Sequence, residues 1–139
     1  MQTGKTINKI SNRLRRRSQA VQKKIGISGS KGNVLDYILA ESAVRPVYQK
    51  DIEKEFDLRP PTASQLLKTL EEEGMIRRIP DEQDSRRKKL IFGDKAATVE
   101  KALREEVEET ERCLLQGITE EERKEFLRIA EKMLENLDD

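Results

Sequence analysis

The chain has 139 residues, of which 40% are charged, 35% hydrophobic and 4% aromatic; this fits one domain, with or without an oligomerisation extension, and makes a thin monomeric core. With one cysteine, Cys113, and no histidine, it forms no intrachain disulfide and lacks the commonest general base and metal ligand, and no phosphate-binding glycine pattern takes their place. Enzymatic chemistry, cofactors and metals are therefore not expected, and without a signal-peptide core or a membrane-spanning apolar run a cytoplasmic location is.

The net charge of +1 conceals a division. Residues 1–95 hold 21 lysines and arginines against 13 acids, a balance of +8, whereas residues 96–139 hold 7 against 14, a balance of −7. The first 35 residues contain nine cations and no acid. Segregation of this kind is expected where one part of a chain faces a polyanion, although solvated helix faces also produce charge runs.

In chain order, Ile7, Ile10, Leu14, Val21 and Ile25 keep one stripe at helical spacing, with Arg13, Arg15, Arg16 and Arg17 mostly off it, which predicts a long first helix. "GISGS" interrupts it, and Ser28 or Ser30 is the expected N-cap of a second helix carrying Val34, Leu35, Ile38 and Leu39. Pro46 ends that helix. "YQKDIEKEFDL" follows as a short helix with Ile52 and Phe56 four apart, and "RPPTASQLLKTLEEEGM" begins about three residues later, the spacing of a helix-turn-helix.

The helix expected from Pro60 to Glu73 has two faces. Ala63, Leu66, Leu67 and Leu70 turn to the core, while Pro61, Gln65, Lys68 and Glu72 turn away, flanked by Thr62, Ser64 and Thr69. Proline is tolerated at the first helical position, and Gly74 is placed to end the helix in a left-handed conformation. The outer face carries small hydrogen-bonding side chains early and Glu71–Glu73 late, the polarity a helix needs if its first turns approach base edges in a major groove.

"MIRRIP" and "RRKKLIF" predict two short strands joined by "DEQDS", with Leu90 and Phe92 on one face and Lys89 and Ile91 on the other. The cations at its tip can reach phosphates or a minor groove, and Asp84, two residues before Arg86, can orient that guanidinium through a bidentate pair. Beyond the hairpin, Asp94 is the expected cap of a long helix striped by Val99, Leu103, Val107 and Leu114 and ended by Gly117. Thr119 and Glu122 form a capping box for a last helix with Phe126, Ile129, Met133 and Leu137 at helical spacing. Cys113, beside Leu114 and Leu115, reads as a packed apolar residue.

The order "GISGSKGNVLDYIL", "VYQKDIEKEFDLRPPTASQLLKTLEEEGMIRRIPDEQDSRRKKL", then two amphipathic helices, resembles the multiple antibiotic resistance regulator (MarR) family of winged-helix transcription factors over roughly Ile7 to Leu137. Its most specific parts are "PTASQLLKTLEEEGMI" and Asp-x-Arg at Asp84 and Arg86. The resemblance implies a mainly α fold with a small two-stranded β-wing, a winged helix-turn-helix flanked by N- and C-terminal dimerisation helices. Residues 1–27 would be the N-terminal dimerisation helix, 28–95 the DNA-binding domain and 96–139 the C-terminal dimerisation helices.

By the same resemblance Pro61, Thr62, Ser64, Gln65 and Lys68 would face the major groove and Arg86 the minor groove. Asp84 would buttress the wing, and Arg87, Lys88 and Lys89 would meet phosphates. Ile7, Ile10, Leu14, Phe126, Ile129, Met133 and Leu137 would line a two-fold homodimer interface. The expected partners are double-stranded DNA at a near-palindromic operator, a second copy of the chain, and a small aromatic or phenolic effector that relieves repression. Tyr37 and Tyr48 are candidates for approaching the effector cleft, with core packing the plainer account of Tyr37. The competing account is a winged-helix protein-interaction module that meets an acidic partner. The chain departs from the family's usual pattern at Arg59, where a serine cap is common, at Glu53, and at Asp57, where glycine is frequent.

Overall fold

A computed structural model of the protein describes residues 1–27 and 29–138. Its elements run α1 (Thr3–Lys24), α2 (Ser30–Ser42), α3 (Gln49–Glu55), α4 (Pro60–Glu72), β1 (Ile76–Pro80), β2 (Lys88–Phe92), a 3-10 turn (Asp94–Ala96), α5 (Ala97–Leu114) and α6 (Glu120–Leu137). This is the mainly helical fold with one small antiparallel hairpin that the sequence predicts. Among the described residues no helix is long and apolar enough to cross a membrane. The chain divides into two compact units, one from Met1 to Glu106 and one from Val107 on.

The first unit is built around the buried faces of short elements. Val34, Leu35 and Ile38 of α2, Ile52 of α3, and Leu67 and Leu70 of α4 meet Ile76 of β1, Leu90 of β2, and Val99 and Leu103 of α5 in one cluster. Each residue comes from the apolar stripe its helix or strand presents at its own period. Tyr37 and Phe56 pack edge-to-face at its margin, with ring centroids 5.8 Å apart.

Helix ends are set by local chemistry. Four residues, Phe56–Arg59, separate α3 from α4, and Asp57 takes a left-handed φ of 51° there. Aspartate is among the few side chains that occupy this region readily, which is why it can stand in for glycine. Helix α4 starts with Pro60 and Pro61, and Arg59 at its N-cap contributes no side-chain bond. Gly74, at φ 76°, ends it as predicted, with its N–H on Glu71 O and that of Met75 on Leu70 O.

Two predicted caps are corrected. Ser30 is the first residue of α2, and Gly29 precedes it as N-cap with no side-chain bond; the alternative, Ser28, lies outside the described residues. Asp94 does not cap a helix: it opens the 3-10 turn after Gly93, and α5 begins three residues later. The reason is crowding at the hairpin exit. The Gly93 N–H donates to Met75 O at 2.8 Å, and a Cβ on Gly93 would run into the Gly74 carbonyl. The chain then follows the position of Gly74, whose carbonyl accepts from the Lys95 N–H at 3.1 Å.

Helix α1 has a single fully buried side chain, and it is polar. Gln22 Nε2 donates to Asp36 Oδ2 at 2.7 Å, and Ser18 Oγ donates to the same oxygen at 2.7 Å. Gly32 leaves the space for this amide, because a Cβ there would collide with it. The apolar stripe of α1 stays largely uncovered: Ile7 and Ile10 are exposed and Leu14 is half-buried.

The second unit is the end of α5, the Gly117 turn and α6. Gly117 ends α5 at φ 80°. Thr119 and Glu122 make the reciprocal cap the spacing predicts, with Glu122 N–H on Thr119 Oγ1 at 3.1 Å and Thr119 N–H on Glu122 Oε1 at 2.9 Å. Helix α6 buries no residue at all, and Phe126, Ile129 and Leu137 are exposed while Met133 is half-buried. Cys113 is exposed, contrary to the expectation of a packed residue. Its neighbour Leu114 is exposed too, so the apolar company read along the sequence is not a packed layer.

Candidate nucleic-acid interface

Helix α4 separates packing from exposure along its length. Ala63, Leu67 and Leu70 are buried, whereas Pro61, Thr62, Gln65 and Lys68 are exposed and Ser64 is half-buried. No acid lies in its first turn, so the partial positive charge of the helix N-terminus stands unopposed there. At the other end two of the three glutamates are engaged. Glu73 pairs with Lys31 at 2.5 Å, and Glu71 Oε1 lies 3.7 Å from Arg78 Nε.

The hairpin pairs Ile76 with Phe92, Arg78 with Leu90 and Pro80 with Lys88. Directly paired residues share a face, so Leu90 and Phe92 turn inward together and Lys89 and Ile91 outward, as predicted. Strand β2 is shorter than the predicted "RRKKLIF" and starts at Lys88, which leaves Arg86 and Arg87 in the turn. Pro80 limits the ladder on the opposite strand.

At the tip the Arg86 side chain is 90% exposed, yet it is fixed. Asp84 Oδ1 accepts from the Arg86 backbone N–H and from Nε, both at 3.1 Å, and Oδ2 accepts from Nη2 at 3.3 Å. The guanidinium hydrogen bond, followed by the backbone one, holds the Asp84 carboxyl below the usual carboxylate range. Arg87 is differently placed, with its guanidinium carbon 3.7 Å from the centroid of the Tyr48 ring. Lys88 is exposed and Lys89 is half-buried, forming an antiparallel bridge with Tyr48.

Between wing and helix-turn-helix lies an open cleft of about 500 Å³, with Lys50, Arg78, Arg86, Arg87 and Lys88 on its walls beside Tyr48 and Gln49. Two of these residues also touch the first turns of α4. Gln49 Nε2 donates to Pro60 O at 3.3 Å, and Arg78 Nη2 makes a long bond of 3.5 Å to Ser64 O. The cleft therefore borders the wing tip on one side and, through Gln49 and Arg78, the leading end of α4 on the other. Its chemistry suits an anionic polymer: several guanidinium and ammonium groups, with no acid among the residues that line it.

Sequence reasoning did not assign Gln49, Lys50 or Arg78, and placed Tyr48 only near an effector cleft. The period-2 pattern of "MIRRIP" puts Arg78 on the inward face with Ile76, an anomaly for an arginine that could have flagged it. Tyr48, Gln49 and Lys50 carry no such signal, because their role depends on the register with which the hairpin meets the start of α3.

These features define a winged helix-turn-helix, and comparison with known proteins makes the assignment specific. The model of the MarR family matches residues 25–87. YybA of Bacillus subtilis (strain 168), described as an uncharacterized HTH-type transcriptional regulator, is 34% identical over 77 residues, 55% of this chain and 51% of its own. The match thus spans about half the length of that curated relative. The crystal structure of S. aureus MepR in DNA-binding conformation superposes with a TM-score of 0.80 at 27% identity, covering 99% of this chain and 100% of MepR. The S. aureus MepR–DNA complex superposes with 0.70 at 27% identity, covering 99% of each chain. The chain is thus similar to the MarR family over its winged helix-turn-helix, and to the solved MepR structures over nearly its whole length.

Proposed function

We propose that the protein is a sequence-specific regulator of transcription that binds double-stranded DNA as a homodimer at a near-palindromic operator. The observation that carries this is the cationic cleft that borders the wing tip and, through Gln49 and Arg78, the first turns of α4. Thr62, Ser64 and Gln65 present hydroxyl and amide groups to base edges in a major groove, beside the Pro61 ring and the Lys68 ammonium. Arg86, already oriented by Asp84, enters the adjacent minor groove, and Lys88 and Lys89 add phosphate contacts whose strength falls with salt. The DNA-bound form of MepR supports the same use of the fold.

The dimer is supported by what the chain leaves uncovered. Phe126 is 61% and Leu137 80% exposed on a helix with no buried residue, and Ile7 and Ile10 are exposed on α1. Apolar stripes of this extent suit burial against a second copy. Two α4 helices would then meet half-sites about one helical turn, ~34 Å, apart. Repression, relieved by a small aromatic ligand, is the mode of regulation carried over from the family resemblance.

Selection of bound duplexes from a random pool tests the reading. An enriched inverted repeat, with half-sites about 10 base pairs apart, is expected. A pool that remains random after selection, or a single unrepeated half-site, overturns it. Repression is tested by transcription from a promoter carrying the enriched site, where the protein should lower the yield.

A further inference from the structure

We infer that Tyr48 is a positioning residue for the wing: its ring and hydroxyl clasp the hairpin tip to the start of α3 and so fix where Arg86 points relative to α4. The inference rests on the DNA-binding reading of the same site and adds to it a residue whose role is to hold the wing.

Tyr48 is anchored on the helix side by its backbone. Its N–H donates to Asp51 Oδ2 in the first turn of α3 at 2.8 Å, and the neighbouring Val47 O accepts from Leu90 N–H at 2.7 Å. From that fixed point the side chain reaches the wing at two places. The hydroxyl donates to Asp81 Oδ2 at 3.0 Å, and the face of the ring lies under Arg87. Asp81 and Arg87 are the two ends of the tip: Asp81 N–H donates to Arg87 O at 2.9 Å, and Arg87 N–H to Asp84 O at 3.0 Å. One side chain therefore touches both arms of the hairpin just beyond the last ladder pair, and Asp84 and Arg86 lie in the loop so closed.

The arrangement separates the two tip arginines. A guanidinium over an aromatic face is held by the ring quadrupole, so Arg87 lies back against the body while Arg86 projects. The phenol is protonated and able to donate at neutral pH, as an ordinary tyrosine pKa of about 10 dictates, and desolvation, followed by the bond to Asp81, pushes its pKa further upward. Without the clasp the tip would keep its own turn but lose its side-chain tie to the helix-turn-helix, leaving only the backbone contacts of Val47 and Tyr48 with Leu90 and Lys89 further down the hairpin. Ordering it on DNA would then cost affinity in the part of binding that depends on Arg86.

The test uses the full chain in two arms. In the free protein, ¹⁵N heteronuclear relaxation should show Ser85–Arg87 becoming more mobile in Tyr48→Leu, while Tyr48→Phe, which keeps the ring under Arg87, stays closer to the parent. In the second arm, affinities are measured for two duplexes of the selected sequence that differ only in A-tract or G·C flanks at the minor groove. Tyr48→Leu should lose roughly threefold to tenfold on the A-tract duplex, the scale of one cation–π contact with one hydrogen bond. It should lose little on the other, and nothing further once Arg86→Ala is present. Arg87→Leu, which empties the ring face while leaving Tyr48 in place, should reproduce the loss of flank preference and serves if Tyr48→Leu does not fold. Unchanged tip mobility overturns the clasp, as does a loss equal on both duplexes or additive with Arg86→Ala. A parent protein that binds no duplex sinks the DNA reading instead, and the relaxation arm then still decides whether Tyr48 holds the wing.

Discussion

Asp84 accepts three hydrogen bonds from one residue, Arg86, through the backbone N–H, Nε and Nη2. A side chain that solvent surrounds is thereby presented in one direction before any partner arrives. Because the bond to Arg86 lowers the Asp84 pKa, this order is present above the ordinary carboxylate value, about 3.9, and is lost as pH falls through the depressed one. We predict that the Asp84 carboxyl titrates below the ordinary range by NMR and returns toward it in Arg86→Ala. DNA affinity should show no inflection assignable to this pair between pH 5 and 8; an Asp84 titration unmoved by Arg86→Ala would remove the buttress.

Gln65 is exposed on the second turn of α4. Replacing it by alanine should cost ~1–3 kcal/mol at one base pair and leave affinity for unrelated DNA unchanged. Competition binding against a set of single-base operator variants reads this directly. Equal losses on specific and random duplexes would contradict base readout.

Lys88 is exposed at the wing and lines the cationic cleft. Lys88→Ala should weaken binding to all duplexes alike and reduce the slope of log affinity against log salt by about 1 per protomer. Titrations at several salt concentrations measure it, and an unchanged slope would place Lys88 away from phosphate.

Gly93 admits no side chain, since a Cβ would meet the backbone of Gly74 and Ile76. Backbone atoms cannot swing aside as a side chain end can. Gly93→Ala should therefore destabilise by about 1–3 kcal/mol, seen as a lower urea midpoint with the fold retained.

Phe126 projects from α6 without cover in the single chain. Phe126→Glu should shift sedimentation from dimer to monomer and weaken operator binding by at least tenfold, since the second half-site then contributes nothing to the same binding event. A variant that remains dimeric would move the interface elsewhere.

Features governed by near neighbours in sequence were legible before the structure. The Thr119–Glu122 cap, the left-handed Gly74, the two-faced α4 and the Asp84–Arg86 pair each span a few residues, and a local rule fixes each of them. Contacts that bring distant residues together were not. Tyr48 and Asp81 are 33 residues apart, and Gln22 and Asp36 are 14 apart; no periodicity announces which polar side chain crosses to which. Asp94 and Cys113 failed for a related reason. Each was read from its neighbours' types, while the hairpin exit and the open end of α5 decided its actual surroundings.

The division of α4 bears on how such a chain diversifies. Ala63, Leu67 and Leu70, with Leu66 beside them, tie the helix to the interior, while Thr62, Gln65 and Lys68 stay exposed on its outer face. Descendants of this sequence can exchange Thr62, Gln65 or Lys68 and acquire new target preferences while inheriting the same scaffold, so innovation at the reading surface need not await compensating changes beneath it.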